Sequence, residues 1–380
     1  MTEIPFQKIR LYQLYKQNLL TPARETEYIR VMKDQIALHS TDYITPYLSL
    51  WCRVDNFEPA SLLKDLNSRQ AWRLRAFRGT VFVMPQEITT DIRSASRIFL
   101  VPRLEEAKKI LQKNRLEVEP FKKEVIAFIR RNGPLAAAEL RKGLSQQVPN
   151  EFFTVILRCL EFSGILIRAE QKHLTDRMIQ YNLPPAELTD SQRDPIEALE
   201  NIFHKYLRRF GPVCWEDIGW WFPLPKSAIR KMVNKFQKEI ILFQWNRQEY
   251  LMEKKDHQQL LAFQPESYQD PLIHFLPYED HFPKAYHIRN WFLSADTLPL
   301  VYQIRKIEHG QLRPTIWLNG EIIGRWETTW RDKAKSAMKV SVEALSPGIK
   351  TTTEILGLIE QQRSILEKYI NQKLIPLMKK

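Results

Sequence analysis

The turn His39-Ser40-Thr41-Asp42 gathers an imidazole, a hydroxyl and a carboxylate in one short stretch. A carboxylate can accept the proton of an attacking water and stabilise nearby positive charge. An imidazole titrates around neutral pH and can orient a water or, when protonated, assist a leaving group. A threonine hydroxyl can hold the same water, and in an extended backbone residues 39 and 41 point to one side. The same residue types also have a plain structural use, because Ser, Thr and Asp ahead of a helix are ordinary capping residues. No other cluster competes. His274, His281 and His287 lie near Glu279 and Asp280, but they lack H-E-x-x-H spacing, so no metal and no cofactor is expected. No lysine stands out as an imine-forming nucleophile.

The elements that must position this turn read mainly as helices. Residues 6–20 and 24–38 carry helix-period apolar residues such as Ile9, Leu11, Leu14 and Leu19. After the turn, Thr45-Pro46 marks a helix start with Thr as cap and Pro at the first helical position. WRLRAF and VFVMP then read as a hairpin, so the order is helix, turn, helix, hairpin. The pattern returns twice. Phe121–Arg131 and Ile196–Phe210 are amphipathic helices, followed by Gly133-Pro134 and Gly211-Pro212, a short helix, a longer helix and strand signals. We read this as an internal repeat of about 75 residues. Beyond Pro265 the sequence alternates as strands do, with Asn319-Gly320 as a hairpin turn and a closing helix over 351–373. The expected fold class is mainly α with β, in which three tandem winged-helix units (helix-turn-helix plus β-hairpin) precede a C-terminal strand-rich module. The expected boundaries are 1–118, 119–190, 191–265 and 266–380.

Composition narrows the function classes. The chain has 380 residues and a formal net charge of +13, from 57 Lys and Arg against 44 Asp and Glu. Glycine is scarce, and neither G-x-G-x-x-G nor G-x-x-x-x-G-K-[ST] occurs, which argues against dinucleotide folds and P-loop NTPases. The three cysteines, Cys52, Cys159 and Cys214, are too far apart for a zinc ribbon or disulfide framework and fit a reducing compartment. With no secretory signal and no apolar run near the ~20 residues of a membrane span, a cytoplasmic protein is expected. The basic excess favours an anionic partner, nucleic acid first.

The segments LHSTDYITPYLSLWCRV and LRAFRGTVFVMPQE resemble the winged-helix superfamily of AlkZ-like and YcaQ-like DNA glycosylases. FLPYEDHFPKAYHIRNW is similar to that family's L-P-x-x-D stretch, and NGEIIGRWETTWR to its G-x-x-x-G-x-W strand. The resemblance implies a monofunctional glycosylase that removes a modified base and leaves an abasic site. In the family a Gln-x-Gln or Gln-x-Asp motif ahead of the helix positions the water. Here those positions fall on His39 and Thr41, followed by Asp42, while Gln35 fits only with a shorter loop. The chain therefore looks like a His-x-Thr-Asp branch. Asp42 is expected to stabilise the oxocarbenium-like sugar and take the water's proton, His39 to orient water or assist the base, and Thr41 to hold water. A base already cationic from N7 alkylation needs little help in leaving. A neutral hypermodified phage base needs an acid such as protonated His39.

Arg73, Arg75 and Arg78 alternate on the first wing, and Arg325, Arg331 and Lys333 lie among Trp326 and Trp330. Together with Arg53 and Arg289 they are the expected DNA-binding cations, with Tyr286 as a neighbour of the lesion. The tryptophans, Trp220 and Trp221 included, are expected in cores, and Lys379-Lys380 is expected to be a solvated end. The expected partner is double-stranded DNA carrying a modified base, bound by a monomer without membrane contact. A non-catalytic winged-helix DNA-binding protein or regulator is the competing expectation.

Overall fold

The computed structural model of the chain describes residues 4–169, 174, 179–189, 193–268, 271–302, 311–349 and 351–378. The expected boundary at 190/191 and the pair Lys379-Lys380 lie outside the described residues. Helices alternate with small antiparallel sheets. Two compact units divide the chain, Met1–Pro59 with Phe203–Lys379 and Ala60–Ile202, a division that cuts across the serial blocks expected from sequence.

In the unit of residues 60–202 the hairpin Ala71–Ala76 and Thr80–Pro85 pairs in the register Arg73↔Val83 and Arg75↔Val81. Strand alternation buries Leu74 and leaves Arg73 and Arg75 half-buried on the other face. A long helix, Gln86–Lys113, follows. Val118–Asn132 comes next, with Phe121, Val125 and Ile129 spaced by four on its buried face, and it ends at Gly133, whose φ of +79° a Cβ would disfavour. Helix Asn150–Phe162 contributes Phe153, Ile156, Leu157 and Leu160 to the same core, which Leu140 and Tyr181 help to close. Strands Leu135–Ala136, Ile167–Arg168 and Gln180–Asn182 form a sheet in the order first-third-second.

The other unit contains a second run of the same order. Helix Pro195–Phe210 enters it, and strand Val213–Cys214, helices Trp215–Trp221 and Lys226–Lys235, and hairpin Ile240–Trp245 with Gln248–Glu253 follow. Its sheet is again ordered first-third-second. The repeat read from the Gly-Pro turns is thus matched by element order in both stretches. Beyond it, strands Ile273–Leu276, Thr315–Leu318, Glu321–Trp330 and Met338–Leu345 form a four-stranded antiparallel sheet. Asn319 (φ +49°) and Gly320 (φ +80°) make the expected two-residue turn. Helix Thr353–Tyr369 runs on through a wider turn to Met378.

The N-terminal helices are shorter than their periodicity suggests, spanning Phe6–Lys16 and Tyr28–Asp34. Pro22 lies in a single tight turn, Thr21–Ala23. The Arg24 guanidinium then donates to the carbonyls of Trp51, Cys52 and Val54 at 3.1, 2.9 and 2.9 Å. Glu25 exchanges backbone bonds with Arg53 and Asp55, which holds the chain extended where a helix was expected. Ile36, buried at φ +69°, ends the second helix three residues before His39. Truncating Leu160 to Ala should cost about 2–5 kcal/mol through the cavity it leaves. Urea denaturation monitored by circular dichroism measures this, and an unchanged midpoint would contradict the described core.

Candidate active site

All the residues of this site belong to the unit built from both ends of the chain. His39 ends the short strand Leu38–His39, and helix Thr45–Trp51 begins six residues later. Between them Asp42 is exposed, and its Oδ1 accepts a hydrogen bond from the Ile44 backbone N–H at 2.8 Å. Thr45 does not cap the helix as expected. Its hydroxyl donates instead to the Tyr278 carbonyl at 2.8 Å, tying the turn to the segment 277–284.

That segment supplies what the sequence did not single out. Glu279 is buried at φ +58°, a conformation non-glycine residues seldom adopt. Its backbone N–H donates to the Leu312 carbonyl (3.1 Å), and its Oε1 accepts from the Leu312 N–H (3.0 Å). Its Oε2 accepts from the Lys284 ammonium and lies 3.6 Å from His39 Nε2. Thr41 Oγ1 lies 3.3 Å from the same nitrogen. His39 therefore sits between an exposed hydroxyl and a buried carboxylate. Burial first, then the Lys284 and His281 charges, push its pKa well below the usual histidine range. The imidazole is neutral at neutral pH, so the expected role of a protonated acid is not available to it there.

Beneath this cluster lies a polar core. Arg53 is fully buried and forms a two-pronged ion pair with Asp280, Nη1 to Oδ2 at 2.9 Å and Nη2 to Oδ1 at 2.8 Å. The Ser49 hydroxyl donates to the same carboxylate at 2.9 Å. Asp280 also accepts from the Phe282 N–H and so starts the short helix His281–Lys284, which returns Lys284 to Glu279. The Gln35 amide satisfies its neighbours in one orientation, with its oxygen facing Arg209 Nε at 2.9 Å and its nitrogen facing His281 Nε2 at 2.6 Å. Gln35 is thus part of the buried support and takes no place beside Thr41. His274 bonds the Leu19 carbonyl and His287 is exposed, so the three C-terminal histidines go to different partners. Among the described residues no group of three or more His, Cys, Asp or Glu is placed to hold a metal ion.

The expected DNA-binding cations divide. Arg53 is excluded from that role, because it is enclosed and neutralised by Asp280. Arg75 is turned inward: its Nε bonds Glu161 at 2.8 Å and its Nη1 the Gly79 carbonyl at 2.7 Å. Arg331 is exposed but paired with Glu367. Arg289 is stacked between the faces of Trp220 and Tyr302, 5.3 Å from each centroid. Tyr286 is core, its hydroxyl donating to the Phe210 carbonyl. Arg73, Arg78 and Arg325 are half-buried and Lys333 is exposed. Trp326 is buried as expected, while Trp220 and Trp221 are only half-buried. Beside Asp42 opens a groove of about 270 Å³ walled by Tyr278, Trp326, Met338 and Ile370.

The whole chain superposes on a solved bacterial protein, the Streptomyces sahachiroi DNA glycosylase AlkZ, with a TM-score of 0.74 at 15% identity, covering 100% of this chain and 98% of that one. At that identity the likeness establishes the fold. The family match extends it: residues 33–361 match the family described as DNA glycosylase AlkZ-like, and the chain belongs to that family of DNA-acting hydrolases. No curated protein matches the chain. No described helix is long and apolar enough to cross a membrane.

The buried polar core makes the fold acid-sensitive. Burial opposes ionisation of Asp280, but the Arg53 charge and the hydrogen bonds from Arg53 and Phe282 outweigh it and bring its pKa down to about 2. Burial brings His274 down to about 4 and His281 to about 3. Each histidine binds a proton more readily when unfolded, so stability falls as pH drops below about 6.5. Asp280 adds its loss as pH falls from about 4 toward its folded pKa. Thermal melting should therefore decline steadily from pH 6.5 downward, and a level melting temperature to pH 4.5 would contradict this. Arg53→Met leaves Asp280 buried and unpaired and should cost about 3–5 kcal/mol by urea titration.

Proposed function

We propose that the protein is a monofunctional DNA glycosylase that hydrolyses the N-glycosidic bond of a bulky alkylated or adducted purine and leaves an abasic site. The observation that carries this reading is the buried His39 imidazole, whose Nε2 has both the Thr41 hydroxyl and the Glu279 carboxylate near it, next to the exposed Asp42. Water-positioning groups and a carboxylate are what hydrolysis through an oxocarbenium-like sugar requires. Asp42, with its second oxygen outside the turn, stabilises positive charge on the sugar. The apolar groove that Asp42 rims offers contact for a bulky substituent.

Two base classes fit the family, a cationic purine adduct and a neutral hypermodified base of the phage type. The state of His39 favours the first. An N7-alkylated purine leaves as a neutral molecule without an acid, whereas a neutral base needs the proton that His39 does not carry at neutral pH. Repair or self-resistance to an alkylating agent accords with such a substrate better than phage defence does. The element order over 118–182 and 195–253 supports winged-helix units, and the hairpin 71–85 supports a third. Arg73, Arg78, Arg289, Arg325 and Lys333 are the proposed contacts to double-stranded DNA, made by a cytoplasmic monomer without cofactor or membrane attachment.

The competing reading, a non-catalytic DNA-binding protein, is favoured by one observation: Asp42 Oδ1 is engaged in its own turn. Alkali treatment of DNA incubated with the protein separates the two, since abasic sites break and intact DNA does not. Strand breaks at N7-alkylguanine are expected, and His39→Ala should slow them by about 10²-fold. Because His39 is already neutral, the single-turnover rate should be level between pH 6 and 8. A rate that climbs tenfold toward pH 6 would show an acid role and return the neutral base to consideration. Sequence-specific footprints without breaks on any modified DNA would favour the regulator.

A further inference from the structure

We infer that Glu279 is the general base of the reaction, taking the proton of the attacking water from a position shared with His39 Nε2 and Thr41 Oγ1. The inference rests on the glycosylase reading above and deepens it, by separating two tasks that the sequence assigned to Asp42 alone.

The geometry distinguishes the two carboxylates. Asp42 is exposed and spends one oxygen on the Ile44 N–H, as an Asx turn does. Its position is on the exposed side of the turn, at the rim of the groove walled by Tyr278 and Trp326. Glu279 is fixed on three sides, by the Leu312 N–H on Oε1, by Lys284 on Oε2, and by its own backbone bond to the Leu312 carbonyl. Its Oε2 faces His39 Nε2 at 3.6 Å. That separation is too long for a direct hydrogen bond and short enough for one water to touch both atoms. Thr41 Oγ1 lies 3.3 Å from the same nitrogen, on a residue that is itself exposed. A site with a carboxylate, a neutral imidazole and a hydroxyl around one point holds a water in a fixed orientation.

The step balances without any further reactant. The water oxygen bonds to C1′ as the C1′–N bond breaks, and the water proton passes to Glu279 Oε2. The electron pair of the broken bond stays with the base, so a cationic alkylpurine departs neutral and the sugar gains a hydroxyl. Asp42 faces the positive charge from the solvent side and takes no proton.

The test compares single-turnover excision from duplex DNA carrying N7-alkylguanine. Glu279→Gln keeps the shape and an oxygen for the Leu312 N–H, and should lose about 10²–10⁴ in rate. Its affinity for duplex DNA with a tetrahydrofuran abasic analogue should stay within about threefold, since the loss is confined to the chemical step. Glu279→Asp retains the charge opposite Lys284 and serves if the amide variant melts early. Its shorter carboxylate should still lose at least about tenfold, because the base is drawn back from the water. Asp42→Asn, whose amide oxygen can keep the turn, should lose less than Glu279→Gln. Wild-type excision with unimpaired Glu279→Gln or Glu279→Asp overturns the assignment alone, and so does a greater loss in Asp42→Asn. Absence of wild-type excision on the whole panel overturns the glycosylase reading and this assignment with it.

Discussion

The arrangement of the site depends on one buried ion pair. Arg53 comes from just past the end of helix Thr45–Trp51 and Asp280 from the start of the C-terminal module, and they meet with both partners removed from water. Such a pair is tolerable only when geometry and extra hydrogen bonds repay the desolvation. Here two parallel N–H···O contacts, the Ser49 hydroxyl and the Phe282 N–H complete the carboxylate. The consequence is positional. Asp280 fixes the start of 281–284, which brings Lys284 round to Glu279, and it fixes Glu279 itself one residue earlier. Arg53 fixes the helix whose preceding turn carries His39 and Thr41. Two distant parts of the sequence are locked at one point, and the residues on either side of that point face each other.

Much of the fold was legible because it is local. Hairpins, Gly-Pro turns, the Asn319-Gly320 turn and the amphipathic helices each carry their signal within a few residues. The N-terminal helices were overestimated because their ends are set by tertiary bonds, above all the Arg24 guanidinium gathering three carbonyls from a later turn. The grouping of residues 1–59 with 203–379 has no local signature at all. The site divides the same way. His39, Thr41 and Asp42 announce themselves by type and spacing, whereas Glu279 and Lys284 acquire meaning only from what they face. The one available signal was the likeness of FLPYEDHFPKAY to a family stretch, whose L-P-x-x-D pattern marks Asp280 and leaves Glu279 at an unspecified position.

Charge was the least transferable clue. Arginine counted as a surface cation in the sequence, but Arg53, Arg75 and Arg209 act inside the molecule, against Asp280, Glu161 and Gln35. The guanidinium's planar fork suits this work, since it can meet a carboxylate or several carbonyls at once. A net charge of +13 therefore says less about a DNA footprint than the positions of individual cations do. Of those expected at DNA, Arg73 and Arg78 on the hairpin belong to one unit, while Arg325 on strand Glu321–Trp330 and Lys333 in the connection after it belong to the other.

The expectation that His39 and Thr41 stand where the family carries a glutamine motif acquires a physical reading once their surroundings are known. A glutamine cannot titrate and a histidine in water does, so in sequence alone His39 reads as an acid. Burial beside Lys284 and above His281 removes that role and returns the imidazole to the status of a neutral hydrogen-bonding group. What the histidine retains over a glutamine is a rigid ring whose Nε2 is aimed by the strand at a fixed carboxylate. On the proposed reading the site delivers a water and supplies no proton to the departing base. A base that arrives already positively charged brings its own driving force, and a site of this composition suits it.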